Sequence, residues 1–319
     1  MKLKNDTKIE TVGFFGISGF GIQFLKNLIK SKYKISFVTS KHKSVLHISD
    51  IEKELISICH NNGLNFIGNV DCNDSSIVEI CKKVDLCILG GYDKILRKDV
   101  LSAPKLGFIN THLGIIPENR GCNPSMWAIL NNIDQGATTY FVNEKIDRGN
   151  IIEIQRLKNR DLNSYEAYCE LSKITSSRIV SCLEKIEAGY SNIPIIGKER
   201  YHRKGMPNDG FVSWYWNDNF IKRFSDSLIF PPYAPMSTRI GLNTVHLIVR
   251  DFYNEKDTSK YPGTILSVSG NVIIVKTRES AVICETWNND IALKPGNVFQ
   301  FVSGKNHAID PHFYKDFLI

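Results

Sequence analysis

Nowhere in the 319 residues does an apolar run approach the ~18 positions of a membrane-spanning helix, so no membrane partner is expected. The first ten residues, MKLKNDTKIE, are polar and hold no apolar leader core, which points to the cytoplasm. Eight cysteines occur without a CxxC pair or any paired spacing, which argues against a structural zinc site, and no metal is expected. Most stand in apolar surroundings (ICH, EIC, LCIL, VSC, VIC), as reduced, buried thiols do. There is no GxSxG elbow and no Cys in a recognisable catalytic context. Internal repeats and low-complexity tracts are also missing.

What remains is the composition of a soluble globular protein, 42% hydrophobic and 23% charged. The length predicts two domains. A net charge of +7 raises a nucleic-acid partner as one reading. Its distribution weakens that reading. Residues 205–319 carry seven Lys and four Arg against eight Asp and three Glu, so the whole excess lies in residues 1–204. A basic groove there serves a diphosphate or a polyglutamylated cofactor equally well.

Along the chain, TVGFFG reads as a buried strand, and GISGFGIQFLKNLIKS as a glycine turn into an amphipathic helix. The turn is spaced GxxGxG rather than GxGxxG, so it is read as a tight strand–helix turn near the substrate and not as a nicotinamide fingerprint. KISFVTS (strand), ISDIEKELISICHNNG (helix), LNFIGNV (strand), SSIVEICKKV (helix) and DLCILGGY (strand) continue the alternation. Such a succession predicts an α/β fold with a doubly wound, Rossmann-like parallel sheet. ATTYFVNEKIDRGNIIEIQ reads as strand, turn and strand, and SYEAYCELSKITSSRIVSCLEKIEAG as a long amphipathic helix. Strands dominate after residue 211, alternating around glycine turns as a small barrel would. The expected division is 1–196 for a catalytic domain, 197–210 for a linker and 211–319 for a smaller, β-rich, OB- or barrel-like domain.

GFINTHLGIIPENRGCNPSMWAIL, residues 107–130, is the most informative stretch. Side chains two apart in a strand share a face, so Asn110 and His112 are predicted side by side at a strand end. Pro117 and Gly121 mark a loop, Asn123 is a plausible N-cap, and Pro124 suits a first helical position. An edge of this kind is where open α/β sheets bind ligands. A solvated His on a polar strand end is the plainer alternative. Asp147, in IDRGNII, lies 37 residues after Asn110, in a turn between two strands. An amide, an imidazole and a carboxylate without a nucleophilic side chain leave the substrate itself to attack, which suits transfer of an activated acyl group to an amine.

At this point the chain resembles the 10-formyltetrahydrofolate-dependent formyltransferases. The resemblance rests on DLCILGGYDKIL, INTHLGIIPENRG and IDRGNII, and continues weakly in PNDGFVSW, FIKRFSDSLIFPPY and PGTILSV. Gly114 departs from it, since many members carry Ser there. The resemblance implies N10-formyltetrahydrofolate as formyl donor and catalytic roles for Asn110, His112 and Asp147. Asn110 would donate to the formyl oxygen, and His112 would donate or take the amine's proton. Asp147 would orient His112 and favour its charged form. Ile95 and Leu96 would line the pteridine slot, with backbone groups near Leu96 and at Asn143 and Glu144 reading its edge. A turn-capping Asp147, and Ile95 and Leu96 as plain core, are the bland alternatives.

Three branches of the family differ in the acceptor. The glycinamide ribonucleotide enzymes lack the extra domain, and methionyl-tRNA formyltransferases need a surface for a long polyanion. The stretch PENRGCNPSMWAIL looks most like the branch acting on nucleotide-linked aminodeoxysugars, with Arg120 forking onto a diphosphate and Trp127 packing near sugar or base. A loop salt bridge and a core Trp are the alternatives for those two residues. The expectation is thus a nucleotide-linked aminosugar as partner, no nucleic acid, and a homodimer among the allowed assemblies. Methionyl-tRNA formylation and 10-formyltetrahydrofolate hydrolysis are the competing activities, and a binding module without chemistry a third.

Overall fold

The computed structural model describes residues 7–16, 19–40, 48–68, 70–159, 161–189, 193–257, 259–287 and 290–302; Ile17 and Ser18 of the first glycine turn lie outside them. Two compact units emerge. One comprises Met1–Arg120, Gly136–Lys158 and Cys169–Tyr201, the other Gly121–Gln135, Asn159–Tyr168 and His202–Ile319.

In the first unit the alternation runs β1 (Thr11–Gly16), α1 (Gly19–Ile29), β2 (Lys34–Ser40), α2 (Ile48–Asn61), β3 (Phe66–Gly68), α3 (Ser75–Cys81), β4 (Leu86–Gly90), α4 (Lys98–Leu101) and β5 (Phe108–His112). A two-residue strand, β6 (Arg120–Gly121), and helix α5 (Pro124–Leu130) precede β7 (Gly136–Phe141) and β8 (Ile151–Arg156). The sheet order is β3-β2-β1-β4-β5-β7-β8. The strands from β3 to β5 pair in parallel, as the sequence predicts. β7 and β8 run antiparallel, a departure from an all-parallel sheet. The residues between them, 142–150, are too few for the crossover that a parallel pair requires. Phe15, Phe37 and Phe108 meet edge to face in the core of this sheet. The spacing of the first glycine turn has a packing reason. A Cβ on Gly21 would lie 2.1 Å from the Gly90 carbonyl oxygen, so α1 reaches the end of β4 only without a side chain. The long helix α6 (Ser164–Glu187) belongs to this unit from Cys169 onward.

In the second unit, β9 (Tyr201–His202) contributes His202, and β10 (Met236–Ile240), β11 (Asn243–Tyr253), β12 (Ile265–Ser269), β13 (Val272–Lys276) and β14 (Ala281–Trp287) form an antiparallel sheet ordered β10-β11-β14-β13-β12. The FQF stretch is not a ladder strand of its own. It laces both edges, with Phe299 N donating to Gly263 O and Gln300 N to Arg239 O, which gives the sheet its barrel-like closure. A helix, α7 (Asp218–Ser227), precedes the strands of this sheet, in a stretch to which the sequence pattern assigns no element. The Asn217 side chain accepts from Phe220 N, and Phe220, Ile221 and Phe224 bury one helical face in the core. Asn123 does precede α5, with Pro124 first in the helix. Asn123 is the N-cap, its carbonyl accepting from Trp127 N, but its backbone is left-handed (φ 53°) and its side chain makes no cap bond. Among the described residues no helix is long and apolar enough to cross a membrane.

Candidate active site

The antiparallel register of β5 and β7 builds the site. Asn110 lies opposite Tyr140, and His112 opposite Thr138. Strand alternation therefore puts Asn110, His112, Tyr140 and Thr138 on one face. Thr138 Oγ1 donates to Gly114 O and accepts from Ile116 N, which pins the backbone that leaves β5.

From there the polar groups form a chain. The Asn110 Nδ2 donates to the Tyr140 hydroxyl (3.0 Å), and that hydroxyl donates to Asp147 Oδ1 (2.8 Å). The other carboxylate oxygen of Asp147 faces His112 Nδ1 at 3.9 Å, an ion-pair distance. His112 Nε2 lies 2.7 Å from the Asn119 carbonyl oxygen. A carbonyl only accepts, so Nε2 carries a proton and Nδ1 is the nitrogen turned to the carboxylate. His112 and Asp147 are both buried, at 8% and 9% exposure, so this is not a solvated His on a polar strand end. Burial, followed by the Asp147 charge, pushes the Tyr140 phenol well above its usual 10.

Asp147 occupies a left-handed backbone conformation (φ 50°), an uncommon one for a residue with a Cβ. Two residues on, a Cβ at Gly149 would meet the Phe141 carbonyl oxygen at 1.5 Å, so the D-x-G spacing answers a close backbone approach. Distant side chains hold the turn. Arg120 Nη1 donates to Ile146 O (3.1 Å), its Nη2 to Glu199 (3.4 Å), and Arg148 also pairs with Glu199. Arg120 is 7% exposed and lies over the Tyr201 ring; its Nη1 and Nη2 serve this turn, and its Nε is buried without a hydrogen-bond partner among the described residues.

The structure brings Asn110, His112 and Asp147 together and disposes the remaining expected residues differently. Asn143 closes its own loop, donating to Arg148 O and accepting from Lys145 N. With Glu144, Lys145, Arg148, Ile195 and Glu199 it lines a cleft of about 700 Å³ beside the Asp147 turn. Ile95 is exposed (72%) while Leu96 is buried in the sheet core, and neither lines that cleft. The backbone around Leu96 is shaped by Asn73, which donates to Ile95 O (3.0 Å) and accepts from Arg97 N (2.7 Å). In the second unit, Trp127 is 2% exposed and stacks on His202 at 4.4 Å, the core arrangement named as its alternative.

Sequence reasoning missed Tyr140, Asn119, Glu199 and Asn73. Tyr140 had a usable signal, because a hairpin over 136–156 returns TTYF past INTH. Glu199 had none: it reaches Arg120 across 79 positions.

Residues 17–166 match the formyl transferase family. The methionyl-tRNA formyltransferase of Alkaliphilus metalliredigens is 26% identical, over 91% of this chain and 94% of its own. Among solved structures, a 4-N formyltransferase from Francisella tularensis superposes with a TM-score of 0.62 at 19% identity, over 75% of this chain and 97% of its own. An N-formyltransferase from Helicobacter canadensis, crystallised with folinic acid and dTDP-3-aminofucose, gives 0.58 at 16% identity, over 88% and 100%. Asn110, His112, Tyr140 and Asp147 all fall inside the matched stretch, 150 of the 319 residues, and that match to the formyl transferases supports a formyl-transferring enzyme.

Proposed function

We propose that the chain moves a formyl group from N10-formyltetrahydrofolate to the amino group of a nucleotide-linked aminodeoxysugar. The observation that carries the acceptor choice is the charge of residues 205–319, which is balanced, without the net excess of Lys and Arg that a long polyanion favours. The Helicobacter canadensis enzyme, bound to a dTDP-aminosugar, supports it. A second reading has its own support: the curated relatives include methionyl-tRNA formyltransferases at 26–28% identity, so that acceptor is the competitor.

The residues fit the donor. The cleft beside Asp147 is of ligand size, with polar groups on the 143–148 loop and an apolar wall at Ile195. Asn143 and Glu144, which line that cleft, would hold part of the donor there, and the Ile95–Leu96 backbone braced by Asn73 would meet a part of it that extends beyond the cleft. When bound, the donor supplies an activated formyl carbon. The acceptor amine, unprotonated, attacks that carbon and negative charge develops on the formyl oxygen. Asn110 has a second amide hydrogen beyond the one given to Tyr140, and donates it to that oxygen. A donor of this kind is worth roughly 3–4 kcal/mol of barrier. His112 takes the amine's proton at Nδ1, the nitrogen its Nε2–Asn119 bond leaves available, and Asp147 balances the resulting charge. The C–N bond to the donor then breaks, and the departing nitrogen keeps the electron pair and is reprotonated.

The test offers 10-formyltetrahydrofolate with a panel of nucleotide-linked aminosugars or with methionyl-tRNA, at 50 and 200 mM salt. Formylated aminosugar with shallow salt dependence is the expected outcome. Formylation of the tRNA alone, falling roughly a thousandfold or more between those salts, would transfer the assignment to the second reading.

A further inference from the structure

We propose that Tyr140 is a positioning residue of the transfer site, its hydroxyl setting which edge of the Asn110 amide meets the reacting group and which oxygen of Asp147 is left for His112. The inference rests on the formyltransferase reading of this site and deepens it.

The argument is one of hydrogen counting. A phenol has one hydrogen to give. Tyr140 is 3% exposed, and burial beside a carboxylate keeps that hydrogen in place. Asp147, ionised, only accepts, so the hydrogen goes to Oδ1 at 2.8 Å. The same hydroxyl then has only lone pairs left for Asn110, 3.0 Å away. Asn110 must therefore present its NH₂ group there. With its amide turned over, two acceptors would face each other without a hydrogen between them, which is unfavourable. One Asn110 hydrogen is thus anchored, the other directed away from Tyr140. On the far side, occupying Oδ1 leaves Oδ2 as the oxygen facing His112 Nδ1. A single hydroxyl thereby orders both the donor and the carboxylate of the set. Register explains why this position can do it, since Tyr140 lies directly across the ladder from Asn110 and seven residues before Asp147.

Tyr140→Phe keeps the ring and its packing and removes only the oxygen. The expected result is a fall in kcat of about ten- to a hundredfold, with KM for both substrates within about threefold of wild type. An ordinary core tyrosine would lower the melting temperature and leave kcat unmoved. A cycle with Asn110→Ala supplies the second measurement: the two losses should combine to clearly less than their sum in free energy. Inactive Asn110→Ala alongside a Tyr140→Phe enzyme with wild-type kcat would overturn the inference alone. Active Asn110→Ala would overturn the reading of the site itself.

Discussion

Two hairpins of this molecule need a backbone with positive φ and meet the need in opposite ways. Between β12 and β13 the turn is two residues long, and Gly270 takes φ 60° with open space around it. Between β7 and β8 the turn runs over 142–150, and the residue at φ 50° is Asp147. Glycine adopts this conformation at no steric cost, whereas a side chain held there costs of order 1–3 kcal/mol and persists only where its surroundings over-determine it. The surroundings do so here. Arg120 and Glu199 come from other parts of the chain, Tyr140 from the strand before, and Gly149 admits the backbone of Phe141. The first turn needs only its own residues. The second is held by groups from elsewhere in its unit, which fix a carboxylate at that point.

The largest effects should follow from removing that carboxylate or its partner. Asp147→Asn keeps a residue that tolerates the left-handed conformation, so its melting temperature should stay close to wild type while kcat falls by roughly two to three orders of magnitude. His112→Ala should lose as much. Steady-state kinetics beside thermal unfolding separate the two quantities, and an Asp147→Asn enzyme that unfolds early would mean that the charge stabilises the turn rather than serving chemistry.

A smaller loss is expected at the clasp. Glu199→Gln leaves the cleft in place but removes the carboxylate shared by Arg120 and Arg148. Glu199 is half exposed, so little stability should be lost. Turnover should drop about tenfold if the clasp sets the position of Asp147. Turnover equal to wild type would reduce the clasp to a surface ion pair.

In the other hairpin the signs reverse. Gly270→Ala forces a Cβ into the left-handed region, which costs roughly 1–2 kcal/mol and lowers the melting temperature by about 2–4 °C. Formyl transfer should not change. Loss of activity in this variant would remove the contrast between the hairpins.

The two turns also differ in how far they could be read in advance. Gly270 and Asn271 announce a hairpin by local chemistry alone, and so did the alternation that gave β1 to β5. That Asn110, His112 and Asp147 lie together was legible because strand period and family resemblance agreed on them. Arg120 was legible as important but not in its contacts: an arginine before a glycine says nothing of Ile146 O or Glu199. Asn123 was legible as the N-cap from its place before Pro124, but not its left-handed backbone or the missing side-chain cap bond. Helix α7 was missed because alternation elsewhere in 211–319 set the expectation, although Asn217 and the i, i+4 pair Phe220 and Phe224 were there to be read. Position along the chain predicts local geometry well, and long-range partners poorly.

The smallest effect lies on the strand that follows the Asp147 turn. Burial opposes ionisation of Glu153 on β8, but hydrogen bonds from Arg178 (2.6 Å) and Lys185 outweigh it and hold the carboxyl at about 2. A carboxyl whose folded pKa is depressed stabilises above its unfolded value and loses that contribution as pH falls through the folded one. Wild type should therefore exceed Glu153→Gln in urea midpoint at pH 7, and the gap should close between about pH 4.5 and about pH 2. A gap that does not depend on pH would point to packing instead of charge.

The most direct test of the central claim is mass-spectrometric detection of formyl transfer from 10-formyltetrahydrofolate to a nucleotide-linked aminosugar, run in parallel with wild type, His112→Ala and Asp147→Asn. One added formyl group on the sugar with wild type, and almost none with either folded variant, is the predicted result. Formylated product from His112→Ala or Asp147→Asn within about tenfold of the wild-type rate, a barrier change under ~1.4 kcal/mol, would contradict the assignment of these side chains to the chemistry.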